Sequence, residues 1–412
     1  MKRRLLPILM TLVLVCALPI WAAFVTSGDV TNPLVSTAWA TLPDLQAKID
    51  AAADNATITL DSNTEIAATL QITKNLTLDL NGCTLRMTGD GSVLKVSGRA
   101  TLTIQDSSAE GTGTITGGNA VDGGGVYIDN NATLKMTGGC ITGCHASYGG
   151  GGIRSSGNLY MSGTAKIEKC TSNWGSDDAI WNKEGVIYAD GGTVDGMVNS
   201  QGTITCSNGT NANAATVFNK TVYLRGSNQT KRCIEAGTYN GTVENTGSIT
   251  GGTFYGTVRN QKNSMGLNIT GSVTGGTFYG SIVNEVEPEQ VTGGTFAVRF
   301  DTDGGSEIEP TTVKHSRKVQ PPSDPEKSGH TFTGWYLDDE KYNFDIPVTA
   351  PLTLTAKWEK VPSSGGYYYH PTTDTKADDA KGSPKTADPG VALYAALSLL
   401  SLTGLTCITK KR

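Results

Sequence analysis

The chain has 412 residues, of which 51 are glycine, 17% are charged and 7% are aromatic, and its formal net charge at pH 7 is −5. This composition favours many short strands joined by tight turns and is not typical of a helical enzyme core. The negative net charge and the absence of a basic stripe argue against a nucleic-acid partner.

Residues 1–40 have the pattern of a secretory signal. The cations Lys2, Arg3 and Arg4 precede an apolar run at 5–24, and this order of charged and apolar regions is typical of exported proteins. The best small-residue cleavage site is 38–40, while cleavage nearer Gly28, or retention of the run as a transmembrane helix, is the alternative. We therefore expect the protein to be exported.

A short amphipathic helix is predicted within 41–55. Its apolar residues are Leu42, Leu45 and Ile49, and Pro43 stands at an early position. Such a helix would cover the open end of the repeats that follow, because a solenoid's first rung otherwise exposes strand edges and apolar side chains.

The centre of the chain repeats one pattern with a step of 27 residues. Gly-Gly-Gly-Val-Tyr at 123–127, Gly-Gly-Gly-Ile-Arg at 150–154 and Asp-Asp-Ala-Ile-Trp at 177–181 are equivalent, and each is followed by an alternating segment, at 133–136, 158–161 and 185–188. A strand that recurs with such a period must stack on its neighbours, which indicates a solenoid. The expected all-β domain covers 56–296 and has about ten rungs, on the order of 50 Å of stacked strands.

A second repeat follows, in which Gly-Thr precedes an aromatic residue. The aromatic positions are Tyr239, Phe254, Phe278 and Phe296. Aromatic residues at equivalent positions of successive rungs predict a stacked ladder, worth about 0.5 to 1.5 kcal/mol per pair beyond area burial.

Two sequence motifs, Gly-Gly-Gly-Val-Tyr at 123–127 and Met-Thr-Gly-Gly-Cys-Ile-Thr-Gly at 136–143, resemble the repeats of right-handed parallel β-helix surface proteins of the pectate-lyase-like superfamily. This resemblance implies a right-handed parallel β-helix. It carries little information about function, because the superfamily contains lyases, hydrolases and non-catalytic adhesins.

Two adjacent carboxylates, Asp177 and Asp178, are the candidate catalytic residues. They resemble the adjacent aspartates of polygalacturonases, and paired carboxylates serve as acid and base in glycoside hydrolysis. The repeat instead places them where the other copies have glycines, which predicts a solvated turn, and Arg154 has no acidic neighbour in its own copy. We therefore favour a non-catalytic protein.

Six cysteines lie outside the terminal apolar runs, at 83, 140, 144, 170, 206 and 233. Their spacing forms no zinc motif, so neither a metal site nor another cofactor is expected. The register places Cys144 and Cys170 one above the other on adjacent rungs, about 4.8 Å apart. Either a disulfide or a buried ladder of free thiols fits that separation.

A different module is predicted at 297–360. The segments 298–306, 329–338 and 352–358 together resemble the internalin B repeat, also called the Listeria-Bacteroides repeat, which implies a small β-grasp-like fold. Trp335 alternates with other apolar positions and is predicted to lie in the core of this module rather than to contact a ligand.

The chain ends in a polar linker and an apolar tail. Residues 361–382 are too poor in aliphatic residues to fold, and 383–412 contain Ser-Pro-Lys-Thr-Ala, an uncharged run and a basic end. This order resembles the cell-wall sorting signal of Gram-positive bacteria, although Ser383 and Ala387 depart from the commonest residues. The resemblance implies that a sortase cuts between Thr386 and Ala387 and joins the chain to peptidoglycan, whereas a permanent single-span transmembrane anchor is the alternative.

Taken together, these patterns favour a wall-anchored, non-catalytic adhesin or glycan-binding stalk. Its expected partners are sortase, peptidoglycan, and host or microbial glycans or surface proteins. The alternative is a surface polysaccharide lyase or glycoside hydrolase, which should bring carboxylates, or a cation with carboxylates, into one cleft.

Overall fold

The computed structural model describes residues 45–173, 177–206, 216–225, 233–262, 270–285 and 290–362. The predicted signal, linker and sorting segments lie outside these residues, as do the positions 41–44 of the predicted cap. One short helix, α1 (Leu45–Ala51), precedes strands that stack in parallel over most of the described chain.

The strands form three long sheets that the chain visits in turn on every rung. Sheet 1 contains β1 (Ala56–Thr59), β4 (Leu76–Asp79), β7 (Thr101–Gln105), β11 (Thr133–Met136), β15 (Asn158–Met161), β19 (Val186–Ala189), β22 (Thr203–Thr205), β25 (Cys233–Ile234), β28 (Ser248–Ile249) and β31 (Ser272–Val273). Sheet 2 contains β3 (Leu70–Ile72), β6 (Leu94–Val96), β10 (Val126–Ile128), β14 (Ile153–Ser155), β18 (Asp178–Asn182), β21 (Met197–Ser200), β24 (Val222–Leu224), β27 (Val243–Asn245), β30 (Val258–Asn260) and β33 (Ile282–Asn284). The ten described rungs of these two sheets are the architecture of a parallel β-helix.

Sheet 3 forms the remaining face and continues into the C-terminal module. Its solenoid strands are β2 (Thr64–Ile66), β5 (Thr84–Met87), β8 (Thr114–Thr116), β12 (Cys140–Thr142), β16 (Lys166–Glu168), β20 (Thr193–Asp195), β23 (Val217–Phe218), β26 (Thr238–Tyr239), β29 (Thr253–Phe254) and β32 (Thr277–Phe278). The module supplies β34 (Thr295–Asp301), β35 (Thr311–Lys314), β36 (His330–Leu337), β37 (Glu340–Lys341) and β38 (Leu352–Lys360). A side sheet of β9 (Asn119–Asp122), β13 (His145–Gly149) and β17 (Thr171–Ser172) lies between sheets 3 and 2 on three rungs.

The 27-residue register holds in sheet 2, where Val126 pairs with Ile153 and Ile153 with Ile180. In sheet 1 the third copy is shifted by one residue. Leu159 pairs with Ile187, so the strand is β19 (Val186–Ala189) and not the predicted segment 185–188. The prediction was wrong there because one extra residue enters the preceding turn, and a single-residue slip exchanges the two faces of a strand.

The inside of the solenoid is an apolar core with an aromatic ladder. Phe218, Tyr239, Phe254 and Phe278 are fully buried, and neighbouring ring centroids lie 4.8 to 5.0 Å apart in stacked pairs. Phe296 continues the ladder at 5.7 Å with a tilted ring. The predicted ladder is therefore present, and Phe218 extends it by one rung.

The glycines of the Gly-Thr-aromatic pattern make room for these rings. Gly252 has a φ of +95°, and a Cβ there would lie 3.2 Å from both Phe254 and Tyr239. Gly276, with a φ of +99°, would bring a Cβ to 3.0 Å from Phe254. Glycine is therefore required at both positions, because it tolerates positive φ and leaves the space beside each ring free.

Buried amides occupy one corner of the later rungs. The Asn245 amide donates to Asn260 Oδ1 at 2.9 Å, and the Asn260 amide donates to Asn284 Oδ1 at 3.0 Å. Both Asn245 and Asn260 are fully buried. This chain of hydrogen bonds satisfies polar groups that would otherwise be costly inside the solenoid.

Strand β34 joins the β-helix to the module. Its residue Phe296 pairs with Phe278 of the last solenoid rung, whereas Val298 pairs in parallel with Leu352 of the module. Antiparallel β35 covers the same end of β34, with Val313 opposite Phe296. The module thus covers the end of sheet 3, which would otherwise present unpaired backbone groups.

Candidate functional site

Outward-facing residues of sheet 2 form a column along the solenoid. The register aligns Lys95, Tyr127, Arg154 and Trp181 on four successive rungs. Each side chain follows a buried aliphatic residue of its strand and therefore points away from the core. Cations and aromatic rings consequently alternate on one outer face, and we call these four residues the cation–aromatic column.

Arg154 is the centre of this column. Its guanidinium carbon lies 4.4 Å from the Tyr127 ring centroid and 5.8 Å from that of Trp181. Only 7% of Arg154 is exposed, and its Nε has no hydrogen-bond partner. Cation–π attraction to two rings offsets part of the cost of removing the guanidinium from water.

The side sheet builds a wall beside the column. Tyr148 of β13 is half exposed, and its ring centroid lies 5.1 Å from that of Trp181. The next residue is Gly149, where a Cβ would lie 3.2 Å from the Trp181 ring. The missing side chain therefore lets the indole lie directly against the backbone of β13.

A groove of about 590 Å³ opens between the first strand of the side sheet and sheet 2. Its walls are formed by Asp90, Gly91, Ser92, Asn119, Ala120, Val121, Asp122, Tyr127 and Ser147. The backbones of Gly91 and Asn119 exchange two hydrogen bonds, at 2.7 and 3.0 Å, and the Asn119 amide donates to Asp90 Oδ1 at 2.9 Å. These bonds hold polar side chains and one aromatic ring around the same space.

Asp122 is the half-buried carboxylate of this groove. Its Oδ1 is inaccessible to water and has no hydrogen-bond partner. Burial raises the pKa of Asp122, against the opposing effects of the Arg154 and Lys183 charges. The acidic neighbour of Arg154 therefore comes from the preceding rung and lies outside its own repeat copy.

The two predicted catalytic aspartates lie in different environments. Asp177 is in an exposed turn, as expected. Asp178 is in β18 and only 3% exposed, so its assignment to a solvated turn was wrong. Its Oδ2 accepts a hydrogen bond from the Gly150 N–H at 3.1 Å, and the Ser172 hydroxyl also bonds to it.

Asp178 could not be placed from the repeat alone. It is equivalent to glycines in the other copies, which suggested a turn, but its carboxylate is buried and accepts hydrogen bonds from Gly150 on the preceding rung and from Ser172 on its own rung. Burial raises its pKa. Asp177 is thus exposed to solvent, whereas Asp178 is buried.

Cys144 and Cys170 occupy equivalent positions on adjacent rungs. The pairs on either side of them, Thr142 with Glu168 and His145 with Thr171, are in register. Both cysteines are free and 1% exposed. The Cys144 thiol donates to the Thr142 carbonyl at 3.6 Å, and the Cys170 thiol donates to the Glu168 carbonyl at 3.3 Å. The neighbouring Cys144 thiol, together with burial, raises the pKa of Cys170.

A second groove, of about 660 Å³, lies in the C-terminal module beside Lys327, His330 and Trp358. The Trp358 indole donates to the Thr302 carbonyl at 3.0 Å, and its ring centroid lies 5.5 Å from that of Phe332. Trp358 is therefore occupied by structural contacts.

Two further predictions concern metals and membrane spans. Among the described residues, no group of three or more His, Cys, Asp or Glu side chains could hold a metal ion. Within the same part of the chain, no helix is long and apolar enough to cross a membrane. The sortase positions Thr386 and Ala387 and both predicted apolar spans lie outside the described residues.

The C-terminal module has a compact aromatic core. Trp335 is 4% exposed, and its ring centroid lies 5.1 Å from that of Phe300 and 5.4 Å from that of Phe332. Residues 296–357 match the Listeria-Bacteroides repeat domain. Trp335 is thus a core residue of this repeat domain, as the sequence predicted.

Part of the chain is similar to two proteins of Evansella cellulosilytica. One, named as a membrane protein, is 38% identical over 68 residues, which cover 16% of this chain and 10% of that protein. Another, named as a Gly-rich membrane protein, is 37% identical over 68 residues, or 16% of this chain and 8% of that protein. The matched region spans a tenth or less of each relative. No solved structure matches the chain.

Proposed function

We propose that the protein is a cell-surface, glycan-binding stalk that does not cleave its ligand. The observation that carries this proposal is the groove beside β9, where Tyr127 stands among Asp90, Asn119 and Asp122. A sugar ring offers apolar C–H faces and hydroxyl edges. A groove lined by an aromatic side chain and fixed polar groups offers partners to both.

The solenoid supports binding to an extended ligand. Besides the column on sheet 2, it carries stacked tyrosines on other outer positions, Tyr160 with Tyr188 at 4.0 Å and Tyr255 with Tyr279 at 4.8 Å between ring centroids. Partly exposed aromatic pairs of this kind are suited to weak contacts with sugar rings. Several weak sites on one rod increase the overall avidity for a polymer.

Attachment to the surface is the second part of the proposal. The Ser-Pro-Lys-Thr-Ala motif, apolar run and basic end resemble a sorting signal, and the relatives of the chain are named as membrane proteins. Thr386→Ala should leave the protein in the membrane fraction and prevent its release by muralytic enzymes. Unchanged release would refute attachment through Thr386.

A second candidate function is glycan cleavage, which one observation favours. Asp90 and Asp122 come from different rungs and line the same groove, and burial raises the pKa of Asp122. Two carboxylates with different environments can act as acid and base. If the protein cleaves glycans at this groove, Asp122→Asn should abolish cleavage while glycan binding persists.

Both functions are tested by a glycan array on residues 41–382 with reducing-end assays on the same glycans. The stalk proposal expects binding without new reducing ends, and Tyr127→Ala should remove that binding. Tyr127→Phe is the matched control, because it keeps the ring. New reducing ends that disappear in Asp122→Asn would establish the cleavage alternative instead.

A further inference from the structure

Two cysteines at one corner of the solenoid have the geometry of a disulfide pair. Cys144 and Cys170 each follow a strand of sheet 3 and directly precede a strand of the side sheet, β13 and β17. The Thr171 N–H donates to the Cys144 carbonyl at 2.9 Å, so the two rungs are hydrogen-bonded directly at the cysteines. Rungs stacked in this way hold equivalent Cα atoms about 4.8 Å apart, and a disulfide spans about 4.4 to 6.8 Å.

The backbone directs both cysteine side chains the same way. Gly143 and Lys169, the residues before the two cysteines, both have a positive φ, +61° and +51°. Lys169 adopts this conformation although left-handed backbone is uncommon for a residue with a side chain. The two corners therefore repeat one conformation, and the Cα–Cβ bonds of the two cysteines run nearly parallel.

The sulfur of Cys170 already extends toward the neighbouring rung. Its thiol lies 3.8 Å from the carbonyl oxygen of Ile141, which belongs to the rung of Cys144. The glycine at 152 leaves room beside this sulfur, because a Cβ there would lie 3.3 Å from it. The thiol is thus close to the rung that carries its proposed partner.

The pair has no third member at this corner of the described rungs. On the preceding rung the equivalent residue is Gly118, and the following rung passes from β20 straight to β21 without a cysteine. Cys140 is in β12 opposite Lys166 and points outward, because its neighbour Ile141 is buried. Each of the two corner thiols therefore has one stacked partner.

We propose that Cys144 and Cys170 form a disulfide that ties the start of β13 to the start of β17 when a disulfide oxidant is present during folding. One cysteine thiolate attacks a sulfur of the oxidant, and a mixed disulfide forms as the first thiolate leaves. The second cysteine thiolate attacks that mixed disulfide and releases the other half of the oxidant. The cysteines lose two electrons and two protons, and the oxidant leaves as two thiols.

Oxidation has to precede closure of the rungs. Both cysteines are 1% exposed, so a soluble oxidant reaches them only while this corner is open. The bond then links two adjacent rungs and restricts their local opening. The surface location in the proposed function would supply oxidants, although the bond does not depend on glycan binding.

The test refolds the full chain in detergent, after reduction and denaturation, with a mixture of reduced and oxidised glutathione. The product is alkylated, digested with trypsin without reduction and analysed by mass spectrometry. We expect peptide 136–154 to be joined to peptide 170–183, two hydrogen atoms lighter than the two free peptides together. Because Cys140 and Cys144 share the first peptide, Cys140→Ser should retain this cross-link, whereas Cys144→Ala should lose it.

Hydrogen exchange measures the consequence for the side sheet. In Cys140→Ser, the amides of β13 and β17 should exchange about tenfold or more slowly in the oxidised than in the reduced protein. Exchange in β4, which lies several rungs away, should not change. Cys170→Ala, refolded with and without the oxidant, is the matched control and should show no difference.

Three results would overturn the inference. No cross-link to peptide 170–183 would show that the two sulfurs do not meet, and a cross-link lost in Cys140→Ser would assign the bond to the wrong cysteine. Equal exchange in oxidised and reduced protein would show that the bond does not restrain the side sheet. If an alanine variant does not refold, fragmentation of the wild-type cross-link between residues 140 and 144 still identifies the bonded cysteine.

Discussion

The side chain of Gln46 takes the place of a strand beside Gln71. Its Oε1 accepts a hydrogen bond from the Gln71 N–H at 2.7 Å, and its Nε2 donates to the Gln71 carbonyl at 3.1 Å. Gln71 lies in β3, the first strand of sheet 2. The Gln46 side-chain amide of helix α1 therefore satisfies both the N–H and the carbonyl of Gln71 at an open sheet edge. In this way the helix covers the first rung.

Gln46→Ala should destabilise the N-terminal rung. Three exposed hydrogen bonds of about 0.5 to 1.5 kcal/mol each are lost, two to Gln71 and one to Asp50. The uncovered edge also becomes available for pairing with another chain. We expect a lower urea midpoint and concentration-dependent association in light scattering. Gln71→Ala is the control, since it keeps the backbone groups that Gln46 binds, and an equal loss in that variant would contradict the cap.

Phe254→Ala should be strongly destabilising, by about 3 to 5 kcal/mol, because it leaves a cavity in the buried ladder. The matched control is its neighbour Tyr255, which is 54% exposed and stacks on Tyr279 outside. Tyr255→Ala should cost about 1 kcal/mol or less. Similar losses in equilibrium denaturation would show that the two side chains do not lie on opposite faces.

Asp178 should make stability fall with rising pH. Burial raises its pKa above 3.8 in the folded protein, so the folded state holds this proton more tightly than the unfolded chain does. Stability then decreases as pH rises from about 4 through the raised pKa and is constant above it. Asp178→Asn should flatten the profile of unfolding free energy against pH over that interval.

Asp178→Ala should behave differently from the asparagine variant. It removes the acceptor of the Gly150 N–H, and a buried donor without a partner costs about 1 to 3 kcal/mol. Asp177→Ala, in the exposed turn, is the control and should change stability by less than about 0.5 kcal/mol. If the two alanine variants were equally stable, the buried position of Asp178 would be refuted.

The cysteines should differ in their reaction with iodoacetamide. Burial raises the pKa of Cys140 to about 11, so its alkylation in the folded protein should be slow at pH 8 and increase with pH up to that value. Cys144 and Cys170 are 1% exposed and should react only after unfolding. Mass spectrometry of the peptides checks this order, and rapid native labelling of Cys170 would contradict it.

Much of the fold follows from local sequence patterns. The 27-residue step predicts the stacking of Val126, Ile153 and Ile180, and the Gly-Thr-aromatic pattern predicts the ladder through Phe254 and Phe278. These patterns are informative because stacking requires the same side chain to meet its equivalent on the next rung. The residue type at each stacking position is therefore constrained by the equivalent residues of the neighbouring rungs.

The number of residues in each rung is harder to predict from the sequence. One residue inserted in the turn before Val186 shifts β19 by one position without interrupting the apolar alternation. The strands of the side sheet were also not predicted, because His145–Gly149 lacks alternation. Those strands pair through backbone hydrogen bonds to adjacent rungs. Such bonds place little constraint on which side chains occur there, so the sequence does not reveal them.

The candidate site was predictable only in part. The aligned copies place Tyr127, Arg154 and Trp181 at one outward position, and that alignment was available from sequence. The partners of Arg154 and Asp178 were not, because Asp122 and Gly150 reach them from the preceding rung and Ser172 reaches Asp178 from the side sheet. Sequence alone determined which residues stack, since stacking repeats at a regular spacing. Only the tertiary structure decided which polar groups lose contact with water, because burial depends on what the neighbouring rungs and the side sheet place over them.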